Sequence, residues 1–406
     1  MPIRFLTSGE SHGPALVTII EGLPAGLPLS ENIIDWYLQR RQRGFGSGLR
    51  MKIENDRAQI LSGVMDGITT GSPLSVLIKN NDHENWRGKE IEPFTRPRPG
   101  HADLNAAIKY GYRDLRPALE RASARETAAR VAAGAICCQM LSKFGIQIGG
   151  YVSSIGVVTA RLDGISYADR ISLAEDSEVR CPDPGSARAM REQIQQAMDL
   201  GDTLGGVIEV AALGLPPGLG SHVHWDRKLK ARLGAAVLGI QAIKGVEIGP
   251  GFENAHKRGT QVQDGIYLED GELVRHTNFS GGLEGGITSG QPLVVRAAMK
   301  PISTTLTPQH SVDLSTGEET QTNYERSDHC PVPRAVPVVE AAIAFVLADA
   351  LLEKLGGDSM DELQTRFKAL RKASLSDLPQ DDRKHVFWPE DESEPGLGGN
   401  SMGGME

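Results

Sequence analysis

Strings of turn residues repeat in the same order along this chain, and that repetition limits the possible folds more than any other feature. Gly22-Leu23-Pro24-Ala25-Gly26-Leu27 returns as Gly214-Leu215-Pro216-Pro217-Gly218-Leu219, and each precedes an amphipathic segment with basic residues. Gly67-Ile68-Thr69-Thr70-Gly71-Ser72-Pro73-Leu74 returns as Gly286-Ile287-Thr288-Ser289-Gly290-Gln291-Pro292-Leu293. Chance recurrence of turn residues would account for either pair alone. Two pairs in one order favour internal duplication with a pseudo-twofold.

Two alanine-rich helices punctuate the halves. One is predicted from about Pro117 to Lys143, stopping near Gly145, and another from about Pro337 to Leu355, ending at Gly356-Gly357. Ala128, Ala129, Ala132, Ala133 and Ala135, and likewise Ala341, Ala342, Ala344, Ala348 and Ala350, leave room for close helix packing. Ala15–Glu21, Lys52–Gly63 and Leu74–Lys79 read as strands, and Ser30–Arg43 as a helix with Ser30 at its N-cap. The class is α+β, with a central helical layer packed between antiparallel sheets. Residues 1–389 read as a single domain. From Glu390 to Glu406 the run EDESEPGLGGNSMGGME is too poor in apolar residues for a packed core and reads as a disordered tail.

The net charge of −9 disfavours nucleic acid as a partner. The charge is uneven, however. Arg40, Arg41, Arg43, Arg50 and Lys52 fall in one acid-free stretch, and Arg96 to Arg130 holds seven arginines and Lys109 against four acids. An acidic protein that concentrates arginine in this way is expected to bind a small polyanion there. Four cysteines show no CxxC or framework spacing, the N-terminus lacks a signal-peptide core, and no apolar stretch is expected to reach the length of a membrane span. These features read as a soluble protein of a reducing compartment, the cytoplasm, without a membrane partner.

Five short clusters could carry chemistry. Thr7-Ser8-Gly9-Glu10-Ser11-His12-Gly13-Pro14 places titratable groups between glycines, either as a capped turn or as a backbone that approaches a ligand closely. A Ser11–His12 nucleophile pair is rejected, because adjacent residues seldom face each other correctly. Arg96-Pro97-Arg98-Pro99-Gly100-His101-Ala102-Asp103 presents His101 among guanidinium groups, or is a solvated basic loop. Arg121-Ala122-Ser123-Ala124-Arg125-Glu126-Thr127 opens the first long helix, where anions are favoured, unless its arginines only pair with Glu120 and Glu126. Lys300-Pro301-Ile302-Ser303-Thr304-Thr305 offers a cation and hydroxyls to a phosphate, and Glu325-Arg326-Ser327-Asp328-His329-Cys330 precedes the second long helix in a segment its prolines should keep extended. Consecutive Asp328, His329 and Cys330 cannot converge on a metal, and no metal site is predicted.

These motifs, in this order, resemble the signatures of the chorismate synthases: Gly-Glu-Ser-His-Gly, Arg-Pro-Gly-His-Ala-Asp, Arg-Ala-Ser-Ala-Arg-Glu-Thr and Arg-Ser-Asp-x-Cys. The resemblance implies a β-α-β sandwich assembled as a homotetramer. It implies a carbon–oxygen lyase that removes phosphate from 5-enolpyruvylshikimate 3-phosphate by 1,4-anti elimination and requires reduced FMN. By resemblance His12, His101 and Asp328 are catalytic. His12 donates a proton to departing phosphate, His101 keeps the reduced flavin protonated, and Asp328 helps to remove the flavin N5 proton. FMN contacts carried over are Arg121, Ala122, Ser123, Gln241, Ala242, Gly285, Lys300, Pro301, Ile302, Ser303, Thr304 and Arg326. Arg41 matches an arginine assigned to NADPH or substrate phosphate, and Arg50 and Arg334 are further substrate candidates. Ser47 stands where relatives often carry a second arginine, so NADPH enters only as a possible reductant. A non-catalytic flavin- or anion-binding relative with the same fold is the alternative.

Overall fold

Alanine puts little bulk on a helix surface, so two alanine-rich helices can approach closely. In the computed structural model, which describes residues 2–48, 54–323, 327–378 and 380–385, the helices Thr127–Ser142 and Val332–Leu355 pack against each other along their length. A Cβ placed on Gly134 would lie 2.2 Å from Cβ of Ala341, so only glycine permits this crossing.

Each helix also covers a sheet. The first sheet is antiparallel, in the order Arg4–Ser8, Ala15–Glu21, Leu74–Lys79, Ala58–Ser62. Strand alternation turns Leu16, Ile20, Leu74, Val76 and Ile78 inward, all fully buried, where the sheet meets Thr127–Ser142 and Glu31–Gln42. The second sheet runs Ile243–Ile248, Leu293–Met299, Gly206–Leu213, Gln147–Ile155, Val158–Thr159, and the helix Val332–Leu355 packs on it together with Leu229–Leu238.

The two halves share a run of two strands, a helix, a strand, a two-residue-per-arm hairpin, a strand and a long helix. The first half inserts Asp103–Tyr110 and Arg116–Ala122. The second inserts Val158–Thr159, Tyr167–Glu175, Pro184–Asp199, Gly251–Asn254, the strand pair Tyr267–Glu269 and Glu272–Val274, and the strand pair His310–Val312 and Glu319–Gln321. The repeated turn strings bind one another alike. Thr69 Oγ1 donates to Pro24 O (2.6 Å) and accepts from Leu27 N (2.9 Å). Thr288 Oγ1 donates to Pro216 O (2.7 Å) and accepts from Leu219 N (2.8 Å).

Three expectations are corrected. The helix predicted from Pro117 to Lys143 is two helices, Arg116–Ala122 and Thr127–Ser142, broken at Ser123. Ser123 is extended (φ −60°, ψ 141°), and its hydroxyl accepts from Arg125 N at 3.3 Å, capping a short 3-10 turn. The second long helix starts at Val332, not Pro337; Pro333 sits in its first turn, where a missing N–H costs nothing. That helix is, contrary to expectation, long and apolar enough to cross a membrane, and 83% of its most apolar window is buried inside the protein as a core element. At its centre the fully buried Glu340 accepts from Arg40 Nη1 (2.5 Å) and from Gly150 N (2.8 Å). The tail from Glu390 to Glu406 lies outside the described residues.

Candidate active site

The break at Ser123 matters because it places the helix start, the end of Leu229–Leu238 and the beginning of Val332–Leu355 around one cleft of about 320 Å³. Loops from both halves of the chain line it. His12, Arg41 and His101 come from the first half, and Gln241, Lys300, Asp328 and Arg334 from the second.

His12 is held from several sides. Glu120 Oε1 lies 2.6 Å from its Nδ1, and Glu120 Oε2 accepts from its backbone N at 2.7 Å. Trp86 lies against the imidazole, with ring centroids 4.4 Å apart. Beside it, the hydroxyls of Ser11 and Ser123 are 3.0 Å apart.

His101 has a carboxylate partner of its own. Its Nδ1 is 2.5 Å from Asp103 Oδ1, while Arg98 reaches Asp103 through Nε (2.8 Å) and Nη2 (3.0 Å). Arg98 Nη2 also lies 3.0 Å from His101 Nδ1. Burial works to raise the Asp103 carboxyl, yet hydrogen bonds from His101 and Arg98 prevail and hold it well below the usual carboxylate range.

Asp328 is fixed by donors from two elements. Its Oδ1 accepts from Gly48 N at 2.8 Å, and its Oδ2 pairs with Arg334 Nη1. No side chain fits at Gly48, where a Cβ would stand 2.6 Å from Ser327 O. Arg334 is thus a cation held against Asp328 in the cleft.

Arg41 is nearly sealed, with 4% of its side chain exposed, and its Nη2 stands 3.5 Å from Asp56 Oδ2. Among the described residues its Nε and Nη2 find no hydrogen-bond partner, and Asp56 Oδ1 is instead taken by Arg125 Nη1 at 2.6 Å. Burial pulls Arg41 down to about 9 against the opposing charge of Asp56, and Arg334 and Arg125 add to the fall. A buried guanidinium with unmet donors is costly until an anion meets it.

Gln241 is oriented by Glu126, whose Oε2 accepts from Gln241 Nε2 at 3.1 Å; Gln241 Oε1 is buried and finds no donor among the described residues. Thr7 Oγ1 (2.7 Å) and Arg130 Nε (2.9 Å) also donate to Glu126. Burial would raise the Glu126 carboxyl, but Thr7, Arg130 and Gln241 together lower it.

Of the sequence candidates, the cleft gathers His12, His101, Asp328, Arg41, Arg334, Ala122, Ser123, Gln241, Ala242, Lys300, Ile302, Ser303 and Thr304. Several fall elsewhere. Arg121 turns away, donating to Thr7 O (2.9 Å) and Gly9 O (3.2 Å). Ser47 Oγ donates to Gly44 O at 2.5 Å within its own turn. Pro301 does not line the cleft, and Gly285 lies in the Leu283–Thr288 hairpin beside His222. Arg50 and Arg326 lie outside the described residues. Sequence reasoning named Glu120 and Glu126 only as partners of the arginines and gave Asp103 no role beside His101. It missed Trp86 and Asp56, which carried no local signal.

The comparisons with known proteins agree. The family model described as Chorismate synthase matches residues 3–352. A chorismate synthase of Trichlorobacter lovleyi is 55% identical over 379 residues, 89% of this chain and 97% of that one. One of Aquifex aeolicus is 54% identical over 384 residues, 90% of this chain and 96% of that one. A crystal structure of a chorismate synthase superposes with a TM-score of 0.76 at 47% identity, covering 91% of this chain and 97% of the other.

Proposed function

This chain belongs to the chorismate synthase family, and from that premise we propose how its cleft performs the elimination of phosphate that gives chorismate. The substrate is 5-enolpyruvylshikimate 3-phosphate, which loses phosphate and the carbon 6 proton in a 1,4-anti sense. The observation that carries this reading is the convergence of two carboxylate-backed imidazoles, Asp328 and the unmet Arg41 guanidinium on one cleft.

The residues present fit a reduced FMN. Leu119, Ile240, Met299 and Val338 offer an apolar wall, Lys300 with Ser303 and Thr304 a phosphate cradle, and the buried Gln241 Oε1 an acceptor that lacks a donor. Bound there, reduced FMN would supply transient electron density as phosphate departs, with no net redox change. His12, through Nε2, gives the departing phosphate its proton. His101, tied to Asp103 through Nδ1, would hold a proton on the side where the flavin would sit, and Asp328 would act there as a proton acceptor. Arg41 binds the substrate phosphate. NADPH serves at most as an external reductant, because Ser47 supplies no second cation beside Arg41.

The wider assignments belong to the same proposal. The shared element order and the matching threonine bonds support a duplicated β-α-β sandwich. Leu6, Ile19 and Leu61, exposed on the first sheet, supply apolar surface suited to a homotetramer contact. Four free thiols accord with a reducing cytoplasm.

The test is chorismate formation under anaerobic conditions with chemically reduced FMN and saturating substrate. His12→Ala and His101→Ala should each slow turnover by roughly 10- to 10,000-fold with folding intact. A rate like the unmodified protein's in either variant removes that histidine from the mechanism. No chorismate from the unmodified protein would favour the non-catalytic relative.

A further inference from the structure

We propose that Glu120 is a positioning residue that sets the tautomer of His12, so that Nδ1 always carries a hydrogen and Nε2 is the nitrogen presented to substrate. This rests on the reading of His12 as the proton donor to phosphate.

The argument begins with the two ends of one carboxylate. Glu120 stands on the helix Arg116–Ala122. Its Oε2 accepts from the backbone N of His12 at 2.7 Å and its Oε1 meets the ring Nδ1 at 2.6 Å. Glu120 O also accepts from Ser11 N at 3.2 Å, so the loop is tied to the helix by backbone and side chain together. Trp86, 4.4 Å from the imidazole centroid, limits its rotation. His83 Nδ1 lies 2.9 Å from His12 O and fixes the same residue from another side.

An ionised carboxylate only accepts hydrogen bonds, so the Nδ1 it faces must donate. Proton delivery then balances simply. The Nε2–H bond of the imidazolium breaks, an O–H bond forms on the leaving phosphate, and the neutral ring left behind carries its hydrogen on Nδ1. That is the tautomer Glu120 already stabilises, so the ring needs no rotation and only a proton from solvent at Nε2 before the next cycle. Tautomer control of this kind by a carboxylate behind a catalytic histidine can be worth about 10,000-fold in turnover.

The bland alternative is that Glu120 is only a strut between loop and helix. Glu120→Gln separates the two. The amide oxygen can still accept from the backbone N of His12, which preserves the strut, but the amide NH2 now faces Nδ1 and forces it to accept. The neutral ring would then carry its hydrogen on Nε2. In Glu120→Gln we expect thermal stability and FMN affinity near those of the unmodified protein and KM within about threefold, while kcat falls at least about tenfold. Nitrogen NMR of labelled His12 should show the hydrogen on Nδ1 in the unmodified protein and on Nε2 in the variant. Glu120→Asp, which keeps the charge, should recover part of the rate lost in Glu120→Ala. The proposal is overturned by an unchanged kcat in Glu120→Gln or by a His12 that keeps its Nδ1 hydrogen there. Should Glu120→Gln fail to fold, an unmodified protein with Nδ1 bare, or Glu120→Asp no faster than Glu120→Ala, overturns it equally. An unmodified protein that shows the stated tautomer but forms no chorismate would sink the proposed function and leave this assignment standing.

Discussion

Asp103 is wholly buried between His101 and Arg98, and its ionisation ties the site to the stability of the fold. Its carboxyl titrates well below the unfolded value of about 4, so its stabilisation is complete above that pH. As pH falls from about 4 toward the lower folded value, the stabilisation is lost. Denaturant titrations should therefore show stability dropping below about pH 4, with a shallower drop in Asp103→Asn. That variant should also be less stable at pH 7 by about 3 kcal/mol, because Arg98 is left buried without its counter-charge. Arg41 poses the opposite balance. Its charge is disfavoured by burial, so Arg41→Met should melt at an equal or higher temperature while weakening substrate binding tenfold or more; a clear loss in melting temperature would contradict this. The arginine clusters were legible as sites of concentrated charge, but their fates were not. Arg40 is spent on Glu340, Arg98 on Asp103 and Arg125 on Asp56. Those acids are distant in sequence for two of the three, and spacing along a chain does not report such meetings.

At the scale of elements, the strands Ala15–Glu21 and Leu74–Lys79 coincide with their predicted bounds, because alternating burial on a half-covered sheet leaves a clean period of two. The break at Ser123 was missed because Ala, Arg and Glu on either side are good helix formers. A signal was present in Ser123-x-x-Glu126, the pattern of a capping box. Here Glu126 turns to Thr7, Arg130 and Gln241 instead of back to the cap, so only half of that motif is used. Alanine content foretold a close helix pair without saying where the axes meet. They meet at Gly134 and Ala341, and Gly134→Ala should destabilise the protein by about 1–3 kcal/mol through overpacking, despite alanine's better helix propensity. Equal or greater denaturant stability in that variant would place the crossing elsewhere.

Across the whole molecule, the repeated turn strings fall at matching places in a run of elements that both halves contain, with different insertions in each. What no repeat could foretell is that the cleft takes His12, Arg41 and His101 from one half and Gln241, Lys300 and Asp328 from the other. The N-terminal strand is bound just as far afield, since Ile3 N donates to Asp349 Oδ1 at 2.9 Å, a separation of 346 residues. This long clasp has a meaning during synthesis. A ribosome adding about 5–20 residues per second holds the first strand for roughly 20–70 seconds before its partner emerges. The helix Val332–Leu355, made after every strand of the second sheet, is the one that this sheet and the cleft await. Until then the apolar inner face of the second sheet lacks a complete cover, and the nascent chain holds exposed apolar surface long after its first strands are made.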